Sequence, residues 1–352
     1  MISEVHISGF RGIREGHLGD LKQITILVGR NGVGKSSVLE ALYLISACAE
    51  SKDEVRGVEK LDYVVSRRGG RGDWDSSRGL LWYMGDTEKP IEVRIGLKGA
   101  TREFIIAPVG GVSKPVRLKE DNYLIDLETY RFSEGIENIH HMRHVGLPSE
   151  YSEYQEIKKF LSGILFIDWF ITRRPNIVEK YAWPRLLAKR LDKRIVELLK
   201  EEFEPDAEGL TYAPSGENRY HLAVQTAETA VRVDDLGDGA RAALLASMLV
   251  LAYRPTVLLL EEPELHLHPA GMYTYVKFLV RLAKEIGFQI IASTHSLELI
   301  QIVQRLAQES GFEASVLYLE REDGVLKARS FSVEDVEAMR KLGFDVRLLY
   351  MF

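Results

Sequence analysis

The run Gly29-Arg30-Asn31-Gly32-Val33-Gly34-Lys35-Ser36 fits G-x-x-x-x-G-K-[ST], a pattern that few folds accommodate. Its flanks matter as much as its letters. Ile24-Thr25-Ile26-Leu27-Val28 is a short, mostly β-branched, strand-like segment. From Ser36 to Cys48, the residues Val38, Leu39, Ala41, Leu42, Leu44, Ile45 and Cys48 fall at the spacing of one helix face. Strand, glycine-rich loop and helix in that order let the chain wrap a phosphate, with successive N–H groups and a helix N-terminus directing positive charge at it. Lys35 is expected to reach the β- and γ-phosphates and the Ser36 hydroxyl to ligate Mg²⁺. Arg30, Asn31, Val33 and Ser37 complete the expected cradle. A glycine-rich turn with a surface lysine is the plainer alternative, and the flanking elements disfavour it. The chain is expected to bind a nucleoside triphosphate.

A second part of such a site lies downstream. Val257-Leu258-Leu259-Leu260 is a fully apolar run ending in Glu261-Glu262-Pro263. In a parallel sheet, acids at a strand end emerge at the carboxyl edge, where a phosphate loop also sits. Glu261 is expected to hold Mg²⁺, and Glu262 to orient or polarise an attacking water. Ile290-Ile291-Ala292-Ser293-Thr294-His295 reads as a further apolar strand, ending in a histidine placed to hydrogen-bond the γ-phosphate. A helix-start position beside Ser/Thr caps competes for His295. Leu236-Gly237-Asp238-Gly239 precedes a strongly apolar helix from Arg241 to Tyr253 and offers a second anion cradle. One nucleotide needs one such loop, so the second is expected to cap ATP held by another subunit in a two-fold dimer.

The rest of the chain narrows the class. No stretch approaches the roughly 18 consecutive apolar residues of a membrane span. The start, Met1-Ile2-Ser3-Glu4-Val5-His6, lacks a basic segment followed by an apolar one, so a cytoplasmic address is expected. Cys48 is the single cysteine of 352 residues, which excludes an internal disulfide and a cysteine-based zinc site. With a net charge of −6, contact with nucleic acid would need a local basic patch. Between about residues 53 and 135, short β-like runs alternate with Gly/Pro/Asp turns, as in an antiparallel sheet. Residues 150–204 read as helical, with Gln155–Ile167 and Trp183–Phe203 both periodic and no sustained heptad. The final third alternates continuous apolar strands with helices, which argues for a parallel sheet covered on both faces.

Four motifs in this order resemble an ABC-type ATPase of the RecF/SMC-like branch, with likeness to its OLD-type relatives. Phe10-Arg11-Gly12-Ile13 resembles the N-terminal strand motif of that branch, which adds Arg11 to the implied nucleotide ligands. Glu262-Pro263-Glu264-Leu265-His266-Leu267-His268-Pro269 resembles its extended Walker B and D-loop segment. Residues 316–319 and 342–347 resemble the closing strands and helix of OLD-type domains. The likeness covers most of 1–50 and 230–352. It implies an α/β P-loop NTPase: an ABC-type head with a mixed parallel core sheet, an antiparallel β part and a helical insertion. The core would span 1–139 and 206–352, and the insertion 140–205. It further implies Mg²⁺-dependent ATP hydrolysis that drives head-to-head homodimerisation, in DNA maintenance, repair or defence. DNA and a partner nuclease or other effector protein are the implied partners. Two departures stand out. The ABC signature Leu-Ser-Gly-Gly-Gln is here Leu236-Gly237-Asp238-Gly239-Ala240, where Arg241 could offset the Asp238 charge, and Glu261 replaces the usual Walker B aspartate.

Rival functions are an ATP-gated module serving a partner nuclease or toxin, and a transporter ATPase subunit. The latter predicts a cleaner signature and an aromatic residue before the phosphate loop. A GTPase would carry Asn-Lys-x-Asp. Ser66-Arg67-Arg68-Gly69-Gly70-Arg71-Gly72 is open between phosphate contact and a solvated turn. His140, His141 and His144 have helical ligand spacing without a supporting acid, and Gln155 is a Q-loop candidate by position alone.

Overall fold

The computed structural model describes residues 1–68, 77–97, 100–108, 116–120, 123–132, 135–143, 148–214 and 220–351. Strands β1 (Ile2–Phe10) and β2 (Ile13–Leu18) form a hairpin, and β3 (Ile24–Gly29) leads through the phosphate loop into helix α1 (Lys35–Ile45). Two short strands, β4 (Lys52–Asp53) and β5 (Val58–Glu59), precede α2 (Lys60–Ser66). An antiparallel run follows: β6 (Ile91–Leu97), β7 (Ala100–Pro108), β8 (Val116–Glu120), β9 (Tyr123–Phe132) and β10 (Gly135–Arg143). The next segment holds α3 (Pro148–Ser162), β11 (Ile164–Ile167), α4 (Trp169–Thr172), α5 (Pro175–Ala188) and α6 (Asp192–Glu202). A small sheet of β12 (Ala207–Pro214), β13 (Tyr220–Thr226) and β14 (Ala230–Arg232) leads to α7 (Asp238–Tyr253). The chain closes with β15 (Val257–Glu261), α8 (Pro269–Ile286), β16 (Gln289–Ser293), α9 (Leu297–Ser310), β17 (Ala314–Glu322), β18 (Val325–Ser332) and α10 (Val333–Lys341).

Among the described residues, thirteen strands make one sheet in the order β10-β9-β8-β7-β6-β1-β2-β18-β17-β3-β16-β15-β11. The five from β17 to β11 are parallel, and β10 to β2 are antiparallel, so the mixed α/β sheet expected from the sequence is present. Alternation along the parallel strands explains the layering. Ile24, Ile26, Val28, Leu258 and Leu260 face the core shared with α5 to α9, while Leu27, Val257 and Leu259 face α1. Both sets are buried, so these strands read as unbroken apolar runs.

Two local readings change. Gln155–Ile167 is not helical throughout: α3 ends at Ser162, and Ile164–Ile167 is a buried strand paired in parallel with β15. A four-residue apolar run after a helix carries no period that separates strand from helix. Trp183–Phe203 is two helices, broken at Lys189–Leu191, with Arg190 in a left-handed conformation at φ 53°. No helix among the described residues is long and apolar enough to cross a membrane.

One buried side chain ties the N-terminus to the parallel core. Gln289 at the start of β16 accepts from Ile2 N–H (2.9 Å) and donates to the Ile2 and Lys22 carbonyls (2.8 and 2.9 Å). Gln289→Leu leaves these backbone groups buried without partners and is expected to cost about 2–3 kcal/mol. Urea unfolding measures it; an unchanged midpoint would show that the amide is dispensable.

Candidate functional site

Register places the chemistry at one edge. Glu261 is opposite Ser293, Ser293 opposite Leu27, and Gly29 opposite Leu319, so β3, β15 and β16 all end at the carboxyl side of the sheet. There the phosphate loop turns through three glycines with positive φ: Gly29 (140°), Gly32 (74°) and Gly34 (126°). A Cβ on Gly29 would stand 2.5 Å from the Leu319 carbonyl oxygen, so glycine is required there twice over. Helix α1 begins at Gly34 with no side-chain cap and no acid in its first turn. Its N–H groups are thus left to an anion. Lys35 folds back, donating from Nζ to the Gly29 (2.8 Å) and Arg30 (3.2 Å) carbonyls. Arg30, Asn31 and Gly32 are exposed at the loop crest, while Val33, Gly34, Lys35 and Ser37 are buried and Ser36 half-buried.

Glu262 follows β15 in a left-handed conformation (φ 46°), strained for a residue with a side chain. Its amide donates to the Ser293 carbonyl (3.0 Å), which locks the turn. Burial, together with Glu264 and Glu261, raises its carboxyl pKa, and Lys35 opposes them. Its Oε1 lies 3.7 Å from Nε2 of His295, whose own pKa is lowered by burial and by Lys35. Sequence reasoning missed Glu264. Its Oε1 accepts from the Thr294 hydroxyl (2.6 Å) and from His295 N–H (3.0 Å), while Arg347 donates to the His295 carbonyl (2.7 Å). These bonds fix the loop that presents His295. Two buried oxygens beside it, Ser293 Oγ and Glu264 Oε2, have no protein partner.

Behind the loop lies a buried charge cluster. Glu40 on α1 is fully buried and receives Arg67, Arg68 (2.8 Å) and Arg11 (3.0 Å). Arg67, at the end of α2, also binds Glu261 and Asp168 (3.3 Å). Arg56 joins Asp168 (3.1 Å) to Asp53 (2.7 Å), and Tyr63 donates to Asp168 (2.5 Å). Four guanidiniums therefore meet four carboxylates. Burial opposes the charges of Arg67, Glu40, Asp53 and Asp168, and their partners outweigh it: Arg67 is raised and the three carboxyls stay below the usual range, whereas burial lowers Arg11.

The remaining site residues sort as follows. Arg11, implied as a nucleotide ligand, has its guanidinium committed to Glu40 and the Val64 carbonyl (2.6 Å) and is nearly buried. Arg68 spends its charge on Glu40 and the Ser37 hydroxyl (3.2 Å); Gly69 to Gly72 lie outside the described residues. Leu236 is buried, Gly237 is the exposed N-cap of α7, and Asp238 pairs with Arg241, as the sequence suggested. Space around a Gly237 Cβ is open, whereas one on Gly239 would meet the His266 carbonyl oxygen at 2.7 Å. Gly239 is therefore required within its own chain, by the close pass of the segment after β15. His268 caps α8 from Nδ1. Gln155 is exposed on α3, and the side chains of His140, His141 and His144 lie outside the described residues.

Known proteins bear on this geometry. Residues 109–301 match the family described as "AAA domain, putative AbiEii toxin, Type IV TA system", and residues 1–72 match an "AAA ATPase domain". A Methanocaldococcus jannaschii protein of no described activity is 31% identical over 113 residues, 32% of this chain and 99% of its own length. A Helicobacter pylori protein named ATP/GTP phosphatase is 20% identical, covering 96% of this chain and 97% of its own. A solved SMC head bound to the C-winged helix domain of ScpA matches with a TM-score of 0.55 at 16% identity, covering 96% of this chain and 99% of that one. The fold is shared with such heads.

Arg67→Ala takes a buried cation from three carboxylates, of which Glu40 keeps Arg11 and Arg68 and Asp168 keeps Arg56, and is expected to cost about 3–5 kcal/mol at neutral pH. Carboxylates held below their ordinary range stabilise the fold fully above that range and lose the effect as pH falls through their lowered values. The gap between variant and parent should therefore narrow in acid. Urea midpoints at neutral and acid pH measure it; a gap independent of pH would contradict the ionised cluster.

Proposed function

The chain belongs to the AAA-domain family matched over residues 109–301 and is an ATPase, and from that premise we propose that it hydrolyses ATP in a two-chain, ATP-dependent dimer. One observation carries the reading: Lys35, Glu261, Glu262 and His295 share one sheet edge, and Glu262 faces His295 at 3.7 Å. Ser36 and Glu261 supply the hard oxygen donors that Mg²⁺ favours, and with ATP bound the ion would neutralise charge at the β- and γ-phosphates. Lys35 would exchange the two carbonyls it now holds for phosphate oxygens. Glu262, with its raised pKa, is suited to hold a water and accept its proton at Oε1. His295, kept neutral by burial and by Lys35, can donate to a phosphate oxygen without adding a cation. Its loop is anchored by Glu264 and Arg347, so loss of that oxygen would be felt along a hydrogen-bonded path.

The dimer rests on α7. Gly237 caps that helix without a side-chain bond and faces open space, as an anion cradle for a second chain's nucleotide would. Asp238 opposes the role, and its pairing with Arg241 offsets the charge.

We place the biological setting in defence or DNA maintenance. Between DNA contact and control of a partner nuclease or toxin, one observation favours the partner. Arg67, a described cation of the basic loop, is buried on Glu40, and Arg68, 44% exposed, pairs with the same carboxylate. The matched family, described by its link to an AbiEii toxin and a Type IV TA system, agrees.

Glu262→Gln should bind ATP, turn it over at least about 100-fold more slowly, and accumulate as a dimer in light scattering. Adding Gly237→Trp, which fills open space rather than the crowded Gly239 position, should return it to one chain with ATP still bound. A Glu262→Gln protein that stays single with ATP, or a double variant that still dimerises, would overturn the composite site.

A further inference from the structure

Three to four strands along the sheet from β3, three ligating side chains converge on the exposed face of the β1–β2 hairpin. His6 and His17 are direct cross-strand partners, with ring centroids 4.0 Å apart and planes within 16°. Glu4, two residues before His6 and on the same face, brings Oε2 to 3.6 Å from His17 Nε2 and 4.0 Å from His6 Nε2. The three ligand atoms lie within 4.8 Å of one another.

We propose that Glu4, His6 and His17 form a binding site for a divalent transition metal of the Zn²⁺/Co²⁺ type, separate from the nucleotide site. Metal–ligand bonds of about 2.0–2.2 Å put tetrahedral neighbours roughly 3.3 Å apart, so the Glu4 oxygen and each histidine nitrogen need to close by less than about 1 Å, and the two nitrogens by at most about 1.5 Å. Small rotations of χ1 and χ2 supply that, because all three side chains are 38–53% exposed and none is held by core packing. The backbone does not have to move, since ladder pairing already sets His6 opposite His17. Binding would turn the two stacked rings out of parallel so that both nitrogen lone pairs meet the ion beside the Glu4 carboxylate, with the outward position left to water.

Ligand type sets the selectivity. Two imidazoles and one carboxylate suit borderline metals, whereas Mg²⁺ prefers the oxygen-only donors at Ser36 and Glu261. Arg94, opposite His6 on β6, is a nearby cation, and Glu92 engages it at 3.0 Å. Glu15 and Glu92 line the same cleft as the two histidines, where their charges balance those of Arg94 and Lys327. A metal bridging β1 and β2 would close the hairpin loop 10–13, from which Arg11 reaches Glu40 on α1.

Co²⁺ titration of the full chain in excess Mg²⁺, followed by visible absorption, tests the site. One Co²⁺ per chain is expected to give a d–d band that Zn²⁺ displaces. His17→Gln and Glu4→Gln, both on the surface, should each weaken Co²⁺ at least tenfold and abolish the rise in thermal midpoint that Zn²⁺ gives the parent. Lys35→Ala should leave Co²⁺ binding unchanged. No Co²⁺ band, or binding that survives both hairpin variants, would overturn the assignment.

Discussion

Arg67 is the contact on which the site is built. Its guanidinium, almost fully buried, reaches Glu40 on the phosphate-loop helix, Asp168 after β11 and Glu261 at the end of β15. Three elements distant in sequence are thereby held at one edge by one side chain. A buried cation with three acids is stable only if every charge is met, and Arg56, Arg11 and Arg68 meet what Arg67 leaves over. Such clusters give little net stability compared with a packed apolar core. They do fix which carboxylate faces which way, and the proposed site, with Glu261 and Glu262 side by side, relies on that.

The two adjacent acids are driven apart in character by their surroundings. Glu261 is neutralised by Arg67, whereas Glu262 turns through a left-handed backbone away from that cation toward Lys35 and His295. Burial and the neighbouring carboxylates raise the Glu262 carboxyl toward a pKa useful for proton transfer. The strain at Glu262 is held by its amide bond to Ser293, and Glu264 holds the next loop, so the segment after β15 organises both walls of the cleft. The same segment presses on Gly239, which links the turn to the start of α7.

Much of this was legible in the chain. The phosphate loop, its helix and the apolar strands at Ile24, Val257 and Ile290 announce a parallel sheet, because strands buried on both faces lose alternation and keep only apolar residues. Glu261, Glu262 and His295 followed from strand ends. What stayed hidden has a common cause. Glu40, Arg56 and Asp168 lie up to 128 residues apart in sequence, and each alone looks like an ordinary charge on a helix or turn. Only the pairing of β11 with β15 brings Asp168 to Glu261, and four apolar residues after a helix could not reveal that strand. Arg11 was legible as a motif but not as a partner of Glu40, since a motif carries no direction for its side chain. The Glu4–His6–His17 cluster escaped for the same reason: register across a hairpin, not sequence spacing, assembles it.

The central claim is that hydrolysis needs two chains, each lending α7 to the other's phosphate loop. ATP turnover per chain, measured across a wide range of protein concentration at saturating Mg²⁺ and ATP, addresses it most directly. The account predicts a specific rate that rises with concentration and then saturates as dimers fill. A specific rate that stays constant down to concentrations where scattering sees only single chains would contradict it.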